Sequence, residues 1–211
     1  MSVSAIIPAY NEEKTIGNVL RIVKSISLIN DIIVVSDGST DDTANIARNY
    51  GVNVIELQEN VGKGGAIKAG LEVCNSDIIL LLDADLIGLN TSHVFDLLIP
   101  VINGEEDMTV GLFKKGRVVT DIAQKIAPNL SGQRVLKKYI LEELPDIDLV
   151  RYGIEVALTK YVSNKDYRVK EIYLQDITHL TKEEKMGLLH GFSSRMKMYW
   201  DIVKVLNKSV K

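Results

Sequence analysis

Four short apolar runs mark the first ninety residues: Ala5 to Pro8, Asp31-Ile32-Ile33-Val34-Val35-Ser36, Val52 to Leu57, and Ile78 to Leu82. They are largely β-branched or leucine-rich, and mostly continuous rather than alternating, which predicts strands covered on both faces of a sheet. Between them, apolar residues recur at helical spacing over Thr15 to Ile26, with Ile16, Val19, Leu20 and Val23 on one stripe, over Asp41 to Tyr50, and over Lys63 to Val73, with Ile67, Leu71 and Cys74. Strands alternating with helices of this length predict right-handed crossovers and a mostly parallel sheet. Asn90, with Thr91 and Ser92, predicts the capped start of a helix to Ile99. Met108 to Phe113 reads as a further strand and Lys114-Lys115-Gly116-Arg117 as an exposed basic loop. Helical periodicity covers Asp121 to Leu144, broken at Pro128-Asn129-Leu130-Ser131-Gly132. Ile154 to Tyr161 reads as a helix, Tyr167 to Leu174 as an edge strand, and Lys182 to Asn207 as a long helix weakened at Gly187 and Gly191.

Ligands of parallel sheets gather at the carboxyl ends of the strands, and each unusual polar cluster of the first ninety residues falls at such an end. Pro8-Ala9-Tyr10-Asn11-Glu12 follows the first strand, Asp37-Gly38-Ser39-Thr40-Asp41-Asp42 the second, Asn60-Val61-Gly62-Lys63-Gly64-Gly65 the third, and Asp83-Ala84-Asp85 the fourth. Extended backbone would project Asp83 and Asp85 to one side, where a single cation could be held by both. Two such charges about 4 Å apart repel by roughly 4 kcal/mol at an effective dielectric near 20, and a divalent ion removes that penalty.

The glycines around Lys63 suit close approach of a phosphate, with the ammonium near a helix start. The segment is not a nucleotide-binding P-loop, which requires Ser or Thr after the lysine, and no G-x-G-x-x-G turn follows the first strand. Asp37 is placed to accept from a base or ribose. Asp41 and Asp42 read as stabilisers of the next helix through its dipole. His179 follows a strand and the polar turn Gln175-Asp176-Ile177-Thr178, from which it either lies exposed or swings back over the rim as a third metal ligand. His93 and His190 fall in helical patterns and read as structural or solvated.

The 211 residues fit one domain with an appended piece, and 46% hydrophobic content suits a packed core. A net charge of -3 and a pI near 5.7 argue against nucleic-acid binding through a broad basic face. The single cysteine, Cys74, excludes an internal disulfide and reads as a buried thiol, in keeping with a reducing cytoplasm. The first residues carry no signal-peptide pattern, and no apolar run approaches the ~18 residues of a membrane span, so the expectation is a cytoplasmic protein that meets a membrane at most peripherally. The last thirty residues hold seven Lys and Arg against three acids, with Phe192, Met196, Tyr199, Val203 and Leu206 at helical spacing. This helix is expected to pack on the domain or on a second subunit in a homodimer, or else to lie on a membrane surface.

Together, Pro8-Ala9-Tyr10-Asn11-Glu12, Asp37-Gly38-Ser39-Thr40-Asp41, Gly62-Lys63-Gly64 and Asp83-Ala84-Asp85-Leu86 resemble the family 2 glycosyltransferases, over roughly residues 3 to 115. Asn129-Leu130-Ser131-Gly132-Gln133-Arg134, Tyr152-Gly153-Ile154-Glu155 and the later histidine are similar to the glucosyl-3-phosphoglycerate synthases within that group. The resemblance implies an α/β GT-A fold: a mostly parallel central sheet sandwiched by helices, with a C-terminal acceptor-side region and a terminal helix. It divides the chain into a nucleotide-sugar half (1–115), an acceptor half (116–181) and a C-terminal helix (182–211). It implies transfer of a hexose, glucose favoured, from a nucleotide-diphosphate sugar (UDP before GDP) to a small phosphorylated or carboxylated acceptor such as 3-phosphoglycerate, with retention.

The same resemblance assigns Pro8, Ala9, Tyr10, Glu12 and Asp37 to the nucleoside pocket, and Lys63, Asp83 and Ala84 to the donor. Asp83, Asp85 and His179 become ligands of Mg²⁺ or Mn²⁺. Ser131, Gly132, Gln133 and Arg134 would face the acceptor, and Asp85, Arg134 and Glu155 would carry the chemistry. The chain departs from the phosphoglycerate enzymes at Arg151, where they tend to have glycine, and Glu105-Glu106-Asp107 precedes a strand, unlike the acidic base of inverting relatives. A polyprenyl-phosphate sugar synthase, a sugar nucleotidyltransferase and a non-catalytic donor binder stand as rival readings.

Overall fold

A computed structural model describes residues 1–113, 131–145 and 153–179, the last residue by its backbone alone. The expected basic loop at Lys114–Arg117, most of the helical stretch from Asp121, His190 and the terminal helix from Lys182 lie outside the described residues.

The strands are β1 (Val3–Ala9), β2 (Asp31–Asp37), β3 (Asn53–Leu57), β4 (Ile78–Leu81), β5 (Leu86–Ile87), β6 (Met108–Phe113), β7 (Arg134–Lys137), β8 (Val169–Leu174) and β9 (Thr178–His179). The helices are α1 (Ile16–Lys24), α2 (Thr43–Asn49), α3 (Lys63–Val73), α4 (Thr91–Ile102), α5 (Lys138–Glu142) and α6 (Ile154–Ser163). One seven-stranded sheet has the order β3-β2-β1-β4-β7-β6-β8, and β5 and β9 form a small second sheet. β1, β2, β3 and β4 are parallel, and β7 alone among the seven runs antiparallel to its neighbours β4 and β6.

β1 and β4 are buried along almost their whole length, the physical reason for their continuous apolar sequence. Alternate side chains feed two cores. Ala5, Ile7, Val34, Ile78 and Leu80 pack on one face under α1, α2 and α4, while Ile6, Ile33, Val35, Ile79 and Leu81 meet α3, α5 and α6 on the other. The expected stripe of α1 is fully buried. Gly70 of α3 lies so close to the sheet that a Cβ there would fall 2.7 Å from Ile6 Cγ2 and 3.3 Å from Val35 Cγ2. Cys74 is buried and unpaired by disulfide, and His93 is buried in α4, where the Asn90 side chain accepts its backbone N–H at 3.1 Å. β8 is an edge strand, as its sequence predicts.

Two expectations are corrected. Residues 134–137, read as helix, form an interior strand of the sheet, because the Arg134-Val135-Leu136-Lys137 backbone pairs on both sides and Val135 and Leu136 are fully buried. Asp83 and Asp85 do not continue β4 as extended backbone either: the strand ends at Leu81, and residues 84 and 85 form a turn into β5.

Candidate active site

Strand direction assembles the site. The carboxyl ends of β1, β2 and β4 share a rim with the loop entering α3, and the reversed β7 brings its amino end to the same rim, with Arg134 opposite Leu81. Residues 131–133 therefore enter the sheet beside Asp83, fifty positions away in sequence. β9 pairs with β5 so that the backbone of His179 lies opposite Leu86, adjoining Asp85.

The loops after β1 and β2 brace one another. The Asn11 side chain accepts from Thr40 N–H at 2.8 Å, Ser39 Oγ accepts from Asn11 N–H at 3.1 Å, and Thr43 Oγ1 accepts from Glu12 N–H at 2.7 Å. The Glu12 carboxylate accepts from Thr15 Oγ1 at 3.0 Å, and Tyr10 is 46% exposed. Pro8 and Ala9 close β1, and Ala84 is buried beneath its turn. Asp41 caps the entry to α2 by accepting from Thr43 N–H at 3.1 Å, whereas the Asp42 side chain accepts from Asn45.

Asp37 is buried, and its two oxygens accept from Val61 and Gly62 N–H at 2.8 and 2.9 Å. The carboxylate thus holds the glycine turn that starts α3, where Gly62 has φ 89°, and each oxygen keeps a further lone pair for a ligand.

At the centre, the Lys63 ammonium bonds Asp83 Oδ1 and lies 2.5 Å from Glu155 Oε1. Burial alone pulls an ammonium's pKa down, but the Asp83 and Glu155 charges outweigh it and hold Lys63 above its ordinary value. Asp83 Oδ2 accepts from Gln133 Nε2 at 2.7 Å. Gly132 lies against this group: a Cβ there would be 2.6 Å from both Asp83 oxygens and would strike the Lys63 ammonium. Lys63, Gly132, Arg134, Ile154 and Glu155, with Ile67, Leu81 and Leu158, line a small, tightly filled cleft.

Arg134 is 1% exposed and reaches this cleft from behind. Its guanidinium donates to the Ser131 carbonyl at 2.9 Å, the Glu155 carbonyl at 3.1 Å and Thr159 Oγ1 at 2.8 Å. Burial pushes its pKa down to about 10, partly offset by the Glu155 charge. Arg134 is therefore a buried cation of β7 and not a surface one. Sequence reasoning missed Thr159, whose only signal was its position one turn after Glu155.

The donor set suits a hard or borderline divalent cation, with two carboxylates on one turn and a histidine whose backbone adjoins it. Among the described residues, no three acidic, histidine or cysteine side chains already converge on one point. Asp83 has both oxygens engaged, one by Lys63 and one by Gln133.

The glycosyl transferase family 2 model matches residues 4–154, which is most of the chain and every rim loop from β1 to α6. The chain belongs to this family. It is a glycosyltransferase with the GT-A fold, which sets aside the nucleotidyltransferase reading. A glucosyl-3-phosphoglycerate synthase of Petrotoga mobilis is 28% identical over an alignment spanning all of this chain and 74% of that protein. A 4,4'-diaponeurosporenoate glycosyltransferase of Staphylococcus aureus is 37% identical, over 46% of this chain and 27% of its own length. Among solved structures, glucosyl-3-phosphoglycerate synthase from Mycobacterium tuberculosis, in complex with Mn²⁺, UDP and phosphoglyceric acid, shares the fold. The TM-score is 0.78 at 24% identity, covering 97% of this chain and 77% of that one. The same mycobacterial enzyme with Mg²⁺ and UDP superposes at TM-score 0.79.

Proposed function

We propose that this glycosyltransferase moves glucose from UDP-glucose to a small acceptor bearing phosphate and carboxylate, of the 3-phosphoglycerate type, with the help of Mg²⁺ or Mn²⁺. The carrying observation is the Lys63 ammonium held between Asp83 and Glu155 at the rim where the Gly132 loop closes. Three carboxylates (Asp83, Asp85, Glu155) against two cations (Lys63, Arg134) leave one net negative charge, and a divalent ion turns this into one net positive charge. An anionic diphosphate and an anionic acceptor then meet a site of the right sign. The similarity to a glucosyl-3-phosphoglycerate synthase, which spans all of this chain and 74% of that protein, supports the same acceptor class.

In this reading Asp85 and His179 would hold the ion. The bound ion would neutralise charge that develops on the leaving nucleotide. Pro8, Ala9, Tyr10, Glu12 and Asp37 border the nucleoside, and Lys63 meets the donor phosphates. Ser131 and Gly132 face the acceptor, and Glu155, steadied by Arg134 through its own carbonyl, stands beside the sugar. Asp83 and Glu155 are both ion-paired to Lys63 rather than standing as unpaired acids, in keeping with transfer with retention.

The test is nucleotide release from UDP-glucose and GDP-glucose, with 3-phosphoglycerate and neutral acceptors, in Mn²⁺, Mg²⁺ or chelator. Turnover is expected only with the anionic acceptor and a divalent ion. Asp85→Ala should abolish it, and full activity in that variant would remove the metal assignment. The anomeric coupling constant of the product by NMR decides between retention and inversion.

A further inference from the structure

Gln133 is 1% exposed, and neither end of its side chain is idle. Its amide nitrogen lies 2.7 Å from Asp83 Oδ2, and its Oε1 lies 3.1 Å from Ser131 Oγ. A carboxylate only accepts hydrogen bonds, so the amide must face Asp83 with its nitrogen, and Oε1 then turns toward Ser131 Oγ, whose single hydroxyl proton is shared between Oε1 and the Gly111 carbonyl. Main-chain and side-chain bonds fix the base of this loop to β6: Gly111 N–H donates to the Gln133 carbonyl at 2.8 Å, and Ser131 Oγ bonds the Gly111 carbonyl. The acceptor-side loop is thereby joined, through one buried amide, to the first acid of the donor-side turn.

We propose that Gln133 is a positioning residue rather than an acceptor contact. It locks the plane of the Asp83 carboxylate so that Oδ1 presents to Lys63, and it couples the 131–133 loop to the donor site. The inference rests on the transferase reading above. With one oxygen held by an ammonium and the other by an amide, the Asp83 carboxylate has a single orientation. Loss of the amide frees it to turn, and Lys63 loses its fixed place between Asp83 and Glu155.

Gln133→Leu keeps most of the volume and removes the donor, and Gln133→Glu sets a like charge against Asp83. We expect kcat to fall about tenfold in the first and further in the second, with the acceptor KM within twofold of wild type. An acceptor KM raised tenfold at unchanged kcat would overturn the proposal and make Gln133 an acceptor contact. Ligand-free crystal structures of wild type and Gln133→Leu give a second readout: Asp83 rotated away from its wild-type orientation supports the restraint, and an unmoved Asp83 overturns it. Should Gln133→Glu fail to fold, the leucine variant decides alone. Wild-type enzyme inactive with every donor would sink the proposed function instead, and the Asp83 orientation would still decide the role of Gln133.

Discussion

Replacing Lys63 with alanine would leave Asp83 and Glu155 facing one another without their shared cation. Stability should fall by about 1–3 kcal/mol, as when one partner of a largely buried ion pair is removed, and kcat/KM with donor should fall at least a hundredfold, roughly 2.7 kcal/mol of transition-state stabilisation. Thermal denaturation beside steady-state kinetics separates the two losses. Lys63→Arg should not restore activity, because a planar guanidinium cannot occupy the point between the carboxylates that an ammonium fills. Gly132→Ala is the steric counterpart: the methyl would press on both Asp83 oxygens, and kcat/KM should drop by about tenfold or more, some 1.4 kcal/mol, with the melting temperature nearly unchanged. Positions on the rim were legible from sequence because strand ends collect polar residues. The pairings between them were not, since the Gln133–Asp83 bond joins residues fifty apart and depends on a strand direction that no local pattern reveals.

Among the elements, those with one strong period were legible and those made by tertiary pairing were not. α3 and β6 have the bounds their sequences predict. β7 was missed because four residues, Arg134 to Lys137, are too few to show alternation and lead directly into the helical Lys138-Tyr139-Ile140-Leu141. Its place is secured in part by Asp107, at the mouth of β6. That carboxylate accepts from Lys137 Nζ at 2.8 Å and from the Arg168 backbone N–H at 3.0 Å and guanidinium at 3.2 Å, tying β6, β7 and β8 together. The Arg168 bonds, then those from Lys137, outweigh burial and hold the Asp107 carboxyl well below its ordinary pKa. A depressed carboxyl contributes stability above its unfolded value, near 3.9, and loses it as pH falls toward the folded value. Asp107→Asn should therefore cost about 2–3 kcal/mol at pH 7, and the difference from wild type should shrink as urea denaturation is repeated below about pH 4. On the opposite side of the sheet order, Gly70→Val should destabilise by about 1–3 kcal/mol by forcing α3 away from Ile6 and Val35.

At the scale of the whole molecule, the described residues build two apolar cores, one on either side of one sheet. No helix among the described residues is long and apolar enough to cross a membrane. A polyprenyl-phosphate acceptor would require the chain to meet lipid, so flotation with anionic vesicles is informative: the protein should remain in the dense fraction, and co-flotation would favour that rival. The alternation of strands and helices up to β6 made the architecture readable, whereas the inverted strand and the β5–β9 pairing, which returns residue 179 to the turn at Asp85, emerge only in three dimensions.

The reversed direction of β7 has a further corollary. Because β7 runs against β4 and β6, β6 ends and β7 begins at the same rim of the sheet, the one where β1 and β4 also end. If acceptor choice resides in the stretch between them, chimaeras that graft residues 114–130 from a relative with a different acceptor, and keep the Gly132 and Gln133 that meet Asp83, should take on that relative's acceptor while retaining this chain's sugar nucleotide.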